Sequence, residues 1–122
     1  MIKGIGIDTI ELDRIWYRMK KTGRFADRIL THKEKSFLTA LSSERRQAEY
    51  LAGRFAAKEA FSKAAGRGIG TLSFQHMDVT TGPSGAPQMS VAGYEKQRIF
   101  VSISHSRDHA IAQVVIEETA DS

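Results

Sequence analysis

A carboxylate and an ammonium group stand four residues apart in a segment that otherwise has the composition of a buried helix. Glu59 and Lys63 lie within residues 55–64, Phe-Ala-Ala-Lys-Glu-Ala-Phe-Ser-Lys-Ala, where they continue an i, i+3, i+4 apolar stripe. A charge on an inward face is costly unless another group partners it. Two interpretations follow: an ordinary surface Glu–Lys pair at the edge of the stripe, or charges kept there for a chemical purpose.

The first ten residues alternate in the period of a β-strand. Ile5 and Ile7 define an apolar face, while Gly4, Gly6 and Asp8 leave the other face nearly bare. Glycine weakens a strand, and it is tolerated where a ligand or another backbone must approach closely. Asp8 either projects from this bare face as a functional carboxylate or ends the strand and caps the next helix.

Composition limits the class of protein. The chain has 122 residues, of which 41% are hydrophobic, so we expect a single globular domain. Because it contains no cysteine, disulfides, thiolate metal sites and cysteine nucleophiles are excluded, as is typical of a reducing compartment. No apolar run approaches the ~20 residues of a membrane span, and the first residues do not read as a signal peptide. We expect a cytoplasmic protein without a membrane partner, and the formal net charge of +4 indicates an acidic partner.

The pattern predicts helices first and strands later. The predicted helices run from Glu11 to Lys21, from Phe25 to Leu30, from a Thr31/Glu34 capping box to about Leu41, and from a cap at Ser42 or Ser43 to Gly66. Gly66, Gly68 and Gly70 then predict a flexible loop. The later strands are predicted at 73–80, 88–91, 99–104 and 110–116, with a turn at 82–87 and a short helix over 92–97. This order predicts an α+β domain over residues 1–118, with a mainly antiparallel sheet packed on the long helix and a frayed tail at 119–122.

The stretch 104–109 between the last two strands is polar. His105 shares a strand face with Val101 and Ile103, which favours a partly buried, hydrogen-bonded histidine. A Ser-His-Asp triad is set aside, because the three residues share one tight turn and no Gly-x-Ser-x-Gly segment is present. The glycines of 66–70 follow a helix and precede a strand, the reverse of a dinucleotide-binding fingerprint, and there is no Walker A sequence.

Two motifs about fifty residues apart carry a resemblance to a known family. They are Gly-Ile-Gly-Ile-Asp at 4–8 and Gly-Arg-Phe-Ala-Ala-Lys-Glu-Ala at 53–60, and the likeness continues through 72–74, 85–87 and 101–106. Together they resemble the short 4'-phosphopantetheinyl transferases, the holo-acyl-carrier-protein synthases. The resemblance implies a single-lobe transferase fold that moves 4'-phosphopantetheine from coenzyme A to a serine of apo acyl carrier protein. It further implies magnesium dependence, release of adenosine 3',5'-bisphosphate, and a role in fatty acid or polyketide biosynthesis.

The resemblance also assigns roles at the site. Asp8 and Glu59 would hold Mg²⁺, which usually takes one or two carboxylates together with phosphates and water. Lys63 would lie over the pyrophosphate as a point charge, and Glu59 or a metal-bound water would accept the serine proton. His105 becomes a contact of the coenzyme rather than a core residue. The implied catalytic residues are Glu59, Lys63 and His105, and the implied coenzyme A contacts are Asp8, Arg46, Arg54, Glu59, Lys63, Gly66 and His105.

Basic residues are expected to bind the two anionic substrates. The resemblance implies docking of an acidic carrier protein at Arg14, Arg24, Phe25 and Arg28. Arg45, Arg46 and Arg54 are either contacts of the adenosine 3'-phosphate end or a solvated basic face. It also implies a homotrimer with active sites at subunit interfaces. Trp16 and Tyr17 either tune carrier choice or simply pack.

One feature departs from the longer members of the superfamily. They carry a second acid two residues after the metal aspartate, whereas this chain has Ile10, so a water is expected to fill that position.

Two other classes of protein remain open. Basic helices with interleaved aromatics over 14–35 also suit a nucleic-acid-binding module, in which Asp8 and Glu59 would have no role. The other alternative is an inactive structural homologue within a larger assembly. The family resemblance itself implies no nucleic-acid partner.

Overall fold

Helices occupy the first half of the chain and antiparallel strands the second half, after an N-terminal strand. A computed structural model describes residues 1–68 and 72–119. Its elements are β1 (Ile2–Glu11), α1 (Leu12–Lys21), α2 (Arg24–Ile29), α3 (His32–Ala40), α4 (Glu44–Ala65), a 3-10 turn (Phe74–His76), β2 (Met77–Thr81), β3 (Pro87–Val91), β4 (Gln97–His105) and β5 (His109–Glu118).

The strands form two antiparallel sheets. β5 is the central strand of a three-stranded sheet with the order β1-β5-β4, and β2 pairs with β3 as a hairpin. Alternate residues of β5, among them Ala112, Val114 and Ile116, are buried beneath α4. The predicted α+β arrangement, a mainly antiparallel sheet packed on the long helix, is confirmed.

The two strand glycines of β1 allow α4 to lie directly against the sheet. A Cβ atom on Gly4 would overlap the carbonyl oxygen of Ala64, and one on Gly6 would overlap that of Ala60. The sequence left open whether a ligand or another backbone approaches this face. The approaching group is the backbone of α4, and its contact brings the C-terminal half of the helix over Asp8.

The opposite face of the same sheet is exposed. Ile5 and Ile7 are 62% and 59% exposed, and Phe100 on β4 is 52% exposed. The apolar face of β1 therefore points away from the helix, and the nearly bare face is the one that packs. A single chain leaves this apolar surface in contact with solvent.

A buried ion pair joins the helices to the hairpin. The Lys58 ammonium lies 2.6 Å from the Glu34 carboxylate and also donates to the carbonyl oxygens of Ile29 and Phe74. The other Glu34 oxygen accepts from the Val79 amide at 2.7 Å. Burial lowers the pKa of Lys58, and the charge of Glu34 opposes that shift. Both carboxylate oxygens of Glu34 and the ammonium of Lys58 have hydrogen-bond partners. This network therefore fixes where α4 crosses the β2–β3 sheet.

Most predicted boundaries agree with the structure, and two predictions are wrong. The Thr31/Glu34 capping box and the Ser43 cap are present, and Gly66 ends α4 in the left-handed conformation with φ of 69°. The predicted strand 73–80 begins only at Met77, because residues 74–76 form a 3-10 turn capped by the side chain of Ser73.

The predicted short helix at 92–97 is a pair of turns instead, with Gly93 at φ of 91°. Part of the predicted glycine loop, at 69–71, and most of the predicted tail, at 120–122, lie outside the described residues. Within residues 1–68 and 72–119, no helix combines the length and the apolarity that a bilayer span requires.

Candidate active site

Asp8 and Lys63 meet where β1 passes under the last turns of α4. The Lys63 ammonium lies 3.1 Å from the Asp8 carboxylate and donates to the carbonyl oxygen of Ile7 at 3.0 Å. Asp8 lies on the same strand face as Gly6, so the close strand–helix contact sets this distance. β1 continues to Glu11, so the alternative in which Asp8 ends the strand and caps α1 is wrong.

Glu59 joins Asp8 and Lys63 in a cluster of two carboxylates and one ammonium group. It is half-buried on α4, one turn before Lys63. Burial raises the pKa of Glu59, and the nearby charge of Asp8 raises it further, while Lys63 lowers it. The two carboxylates, 51 residues apart in the chain, thus lie close enough to repel one another. Lys63 pairs with Asp8 in the structure, so the interpretation of an ordinary Glu59–Lys63 surface pair is wrong.

An open cavity of about 320 Å³ adjoins this cluster at the C-terminal end of α4. It is lined by Glu59, Ser62, Lys63, Gly66, Arg67 and Gly68. The cavity therefore combines two cationic side chains, one carboxylate and the turn that ends the helix. A phosphate-bearing ligand in this cavity would contact the positive charges of Lys63 and Arg67.

The donor set fits a magnesium ion shared with a ligand. Among residues 1–68 and 72–119, no group of three or more histidine, cysteine or acidic side chains could hold a metal ion by itself. Two carboxylates are nevertheless what Mg²⁺ commonly takes from a protein when phosphates and water supply its other ligands. Burial raises the pKa of Glu59 first and the charge of Asp8 adds to it, and a cation bound between the two carboxylates would relieve their repulsion.

His105 lies apart from the acids within one chain. Its Nε2 atom is 2.9 Å from the carbonyl oxygen of Glu49, and the ring packs over Gly53. Gly53 precedes Glu59 by six residues, or about 9 Å along the helix axis. His105 is the last residue of β4 and is exposed, with a helix carbonyl as its partner.

The predicted arginine contacts of the coenzyme are also separated from the acids. Arg46 is exposed in the first turn of α4, about 20 Å along the axis from Glu59. Arg54 is only 9% exposed and stacks on the ring of Tyr50 at 4.2 Å, with its buried Nε lacking a hydrogen-bond partner. One chain therefore brings Asp8, Glu59, Lys63 and Gly66 together, but not His105, Arg46 or Arg54.

A basic surface lies at the junction of α1 and α2. A cavity of about 460 Å³ there is lined by Arg18, Lys21, Thr22, Arg24, Phe25 and Arg28. Phe25 is buried and packs against Phe55, so its ring forms the floor while the charged groups form the rim. Arg14 precedes Arg18 by one helical turn and is exposed.

The two unplaced aromatics of α1 differ in role. Trp16 donates to Glu44 at 3.3 Å and thereby ties α1 to the start of α4, whereas Tyr17 is 60% exposed.

Comparison with known proteins agrees with the motifs. A family model described as the 4'-phosphopantetheinyl transferase superfamily matches residues 4–114. The chain belongs to this superfamily. A holo-[acyl-carrier-protein] synthase of Geobacillus sp. (strain WCH70) is 53% identical over 118 residues, covering 96% of this chain and 98% of that protein. One from Oceanobacillus iheyensis is 50% identical over 117 residues, with 96% and 98% covered.

A solved structure extends the comparison to the fold. The crystal structure of a holo-(acyl-carrier-protein) synthase from Bacillus anthracis, in complex with CoA (3',5'-ADP), superposes with a TM-score of 0.89 at 44% identity. The match covers 98% of this chain and 99% of that chain. The predicted family, fold class and transferase activity are therefore confirmed.

Two charged residues escaped the sequence argument: Lys58, which belongs to the buried structural ion pair, and Arg67, which lines the cavity of the phosphopantetheinyl transferase site. Lys58 lies seven residues after Leu51 and three before Phe61, on the buried side of α4, so the helical period could have marked it as an inward charge. Arg67 follows the helix and has no periodic signal, and only the folded chain brings it to the cavity beside Lys63.

Proposed function

We propose that this protein transfers 4'-phosphopantetheine from coenzyme A to a serine hydroxyl of an apo acyl carrier protein, releasing adenosine 3',5'-bisphosphate. The observation that carries the proposal is the cluster of Asp8, Glu59 and Lys63 beside the cavity at the end of α4. The cysteine-free composition favours a reducing compartment, and we place the reaction in the cytoplasm.

Asp8 and Glu59 are the residues that would hold Mg²⁺. When bound, the ion would neutralise charge that develops on the diphosphate as its phosphoryl group is transferred. Lys63 is 55% exposed on its side chain, so its ammonium is free to donate to a diphosphate oxygen as well as to Asp8. The cluster can therefore bind and orient the anionic end of the substrate.

Glu59 is also the proposed proton acceptor. The serine oxygen of the carrier would attack the phosphorus atom attached to the pantetheine arm, and the bond from that phosphorus to the bisphosphate oxygen would break. The serine proton would pass to the Glu59 carboxylate, which lines the cavity where the diphosphate is proposed to bind.

The carrier is proposed to dock on the basic surface of α1 and α2. Acidic helices would meet Arg24 and Arg28 on its rim and Arg14 one turn earlier on α1, since charge complementarity steers association and fixes orientation. Arg28→Glu should raise KM for the carrier while leaving KM for coenzyme A within about twofold. Unchanged carrier kinetics would move the docking surface elsewhere.

A homotrimer is proposed to complete the site. The exposed apolar face of Ile5, Ile7 and Phe100 suits contact with further copies of the chain. In such an assembly His105, Arg46 and Arg54 would reach the acid cluster from a neighbouring subunit. A site shared between subunits would explain why these three residues lie apart from the cluster of Asp8, Glu59 and Lys63 within one chain.

Mass spectrometry of an apo acyl carrier protein tests the reaction itself. After incubation with this protein, coenzyme A and Mg²⁺, the carrier should gain the mass of one phosphopantetheine. A carrier that remains apo under these conditions, with a known transferase converting the same preparation, would contradict the proposed function.

A further inference from the structure

Arg67 stands at the rim of the cavity that contains Glu59 and Lys63, on a backbone held firmly in place. Its amide donates to the carbonyl oxygen of Ser62 at 3.0 Å, and the Ser62 hydroxyl donates to the Arg67 carbonyl oxygen at 2.6 Å. Gly66 makes this turn possible by adopting φ of 69°. The position of Arg67 relative to α4 is therefore set by three backbone and side-chain constraints.

The side chain of Arg67 is also held in position by a hydrogen bond. One terminal nitrogen of the Arg67 guanidinium donates to the Tyr94 hydroxyl at 3.2 Å, and the Tyr94 ring packs edge-on against Phe61 at 4.9 Å. Phe61 is fully buried on α4, so the phenol is anchored to the same helix that carries Glu59. The guanidinium is thus held beside the cavity before any ligand binds.

Arg67 lines a cavity in which cationic side chains outnumber carboxylates. None of the ion pairs within residues 1–68 and 72–119 includes Arg67, and the described lining of the cavity has two cations, Arg67 and Lys63, and one carboxylate, Glu59. A guanidinium has five N–H donors, and the neutral phenol oxygen accepts from only one nitrogen. One carboxylate cannot neutralise both cations, so the cavity keeps an excess positive charge that an anionic ligand would balance.

We propose that Arg67 is a further substrate-binding residue, which donates to a phosphoryl oxygen of the diphosphate opposite Lys63. Tyr94 is its positioning residue. The planar fork of the guanidinium suits two oxygens of one phosphoryl group, whereas the Lys63 ammonium acts as a point charge. The inference rests on the proposed function and adds a second cationic contact that neither motif of the chain contains.

Calorimetric titration of the full chain with inorganic pyrophosphate, with and without Mg²⁺, tests this contact without requiring catalysis. Arg67→Ala should weaken pyrophosphate binding about tenfold, the scale of one lost charge-assisted hydrogen bond. Lys96→Ala removes the same charge from the exposed turn that follows Tyr94, outside the cavity, and should change binding less than twofold. Equal affinities for Arg67→Ala and Lys96→Ala would overturn the assignment.

Two further variants separate binding from a merely structural role. Arg67→Lys keeps the charge but loses the fork, so it should recover only part of the lost affinity. Tyr94→Phe should weaken binding about threefold in the wild-type background and cause no further loss in Arg67→Ala, since it acts through Arg67. Equal losses from Tyr94→Phe in both backgrounds would contradict the positioning role.

The outcome is independent of the transfer assay. If the wild-type chain transfers phosphopantetheine but Arg67→Ala binds pyrophosphate as tightly as Lys96→Ala does, only the Arg67 assignment fails. If the wild-type chain transfers nothing, the proposed function fails, while a tenfold loss in Arg67→Ala would still support a diphosphate contact at this cavity.

Discussion

The carboxyl group of Asp8 has a cation at 3.1 Å in Lys63 and a second acid nearby in Glu59. Two acids that share one ammonium leave a net negative charge, which a divalent cation can neutralise. The residue types and their spacing singled out Asp8, Glu59 and Lys63 one by one, and the family resemblance implied that they share one site. The actual partner of Lys63 could not be predicted, since it depends on where α4 crosses β1.

Asp8→Asn and Glu59→Gln test the acid pair at the scale of single residues. Each should lower the transfer rate at least about a hundredfold, because each removes a charge that would hold the metal against the diphosphate. The rate is measured in single-turnover assays with saturating coenzyme A. Glu95→Gln, an exposed acid whose side chain caps Gly93, serves as the control and should retain wild-type activity. Near-normal rates for either site variant at limiting Mg²⁺ would remove the metal assignment.

The raised pKa of Glu59 predicts a pH dependence of metal binding. The pKa is raised above 4.5, so Glu59 takes up a proton at a higher pH than an ordinary glutamate as the solution is acidified. Mg²⁺ affinity, measured by calorimetry, should therefore fall with decreasing pH before ordinary carboxylates titrate. In Asp8→Asn, one cause of the shift is absent, and NMR titration should place the pKa of Glu59 lower than in wild type. An unchanged or higher value would show that Asp8 does not act on Glu59.

The raised pKa of Glu59 also affects the free energy of unfolding, in the opposite direction from the lowered pKa of a salt-bridged acid. Because the folded protein binds this proton more tightly than the unfolded chain does, the ionised form of Glu59 destabilises the metal-free protein above its folded pKa. Stability from this group is greatest at low pH and is lost as the pH rises through that pKa. Glu59→Gln should accordingly be at least as stable as wild type at pH 7 without metal.

At the scale of elements, the packing of α4 on β1 positions the cluster. The sequence predicted both elements and their boundaries within a residue or two, because periodicity and caps are local signals. It left open what the bare face of β1 contacts, since a glycine tolerates a ligand and a backbone equally well. The buried Lys58–Glu34 pair was likewise missed, because Glu34 already had a local explanation as a capping residue.

Gly6→Ala tests the strand–helix contact. The added methyl group would overlap the carbonyl oxygen of Ala60, so α4 must move away from β1, at a cost of about 1–3 kcal/mol or more in the free energy of unfolding. Mg²⁺ affinity should fall together with stability, because Glu59 moves away from Asp8. Gly23→Ala is the matched control, since its Cβ meets nothing within 4 Å and its φ of −66° suits alanine. Urea denaturation and metal titration give both readouts. Wild-type values for Gly6→Ala would show that the contact does not set the site.

At the scale of the whole molecule, a single chain contains only part of the predicted site and leaves one sheet face uncovered. The strand period separated Ile5 and Ile7 from Gly4 and Gly6, but periodicity alone cannot say which face packs on the helix. The family resemblance supplied the expectation of a homotrimer. The exposed apolar face and the position of His105 over Gly53, on an earlier part of α4 than Glu59, are the observations that support it.

Ile7→Glu tests the proposed assembly. A charge on the exposed apolar face of β1 should convert a trimer into monomers, because burying it against another copy would be costly. Analytical ultracentrifugation measures the change, and transfer activity should fall with it. Tyr17→Glu places the same charge on the 60% exposed aromatic of α1 and should leave the sedimentation of the protein unchanged. A trimeric Ile7→Glu, or a monomeric wild type, would contradict the assembly.

The most direct test of the central claim is an anomalous difference map from crystals of this protein grown with Mn²⁺ and coenzyme A. Mn²⁺ has oxygen-ligand preferences close to those of Mg²⁺ and can be located by its own scattering. The account predicts one peak coordinated by carboxylate oxygens of Asp8 and Glu59 and by oxygens of the diphosphate. A coenzyme bound with its diphosphate away from both acids, or a metal peak that neither acid contacts, would contradict it.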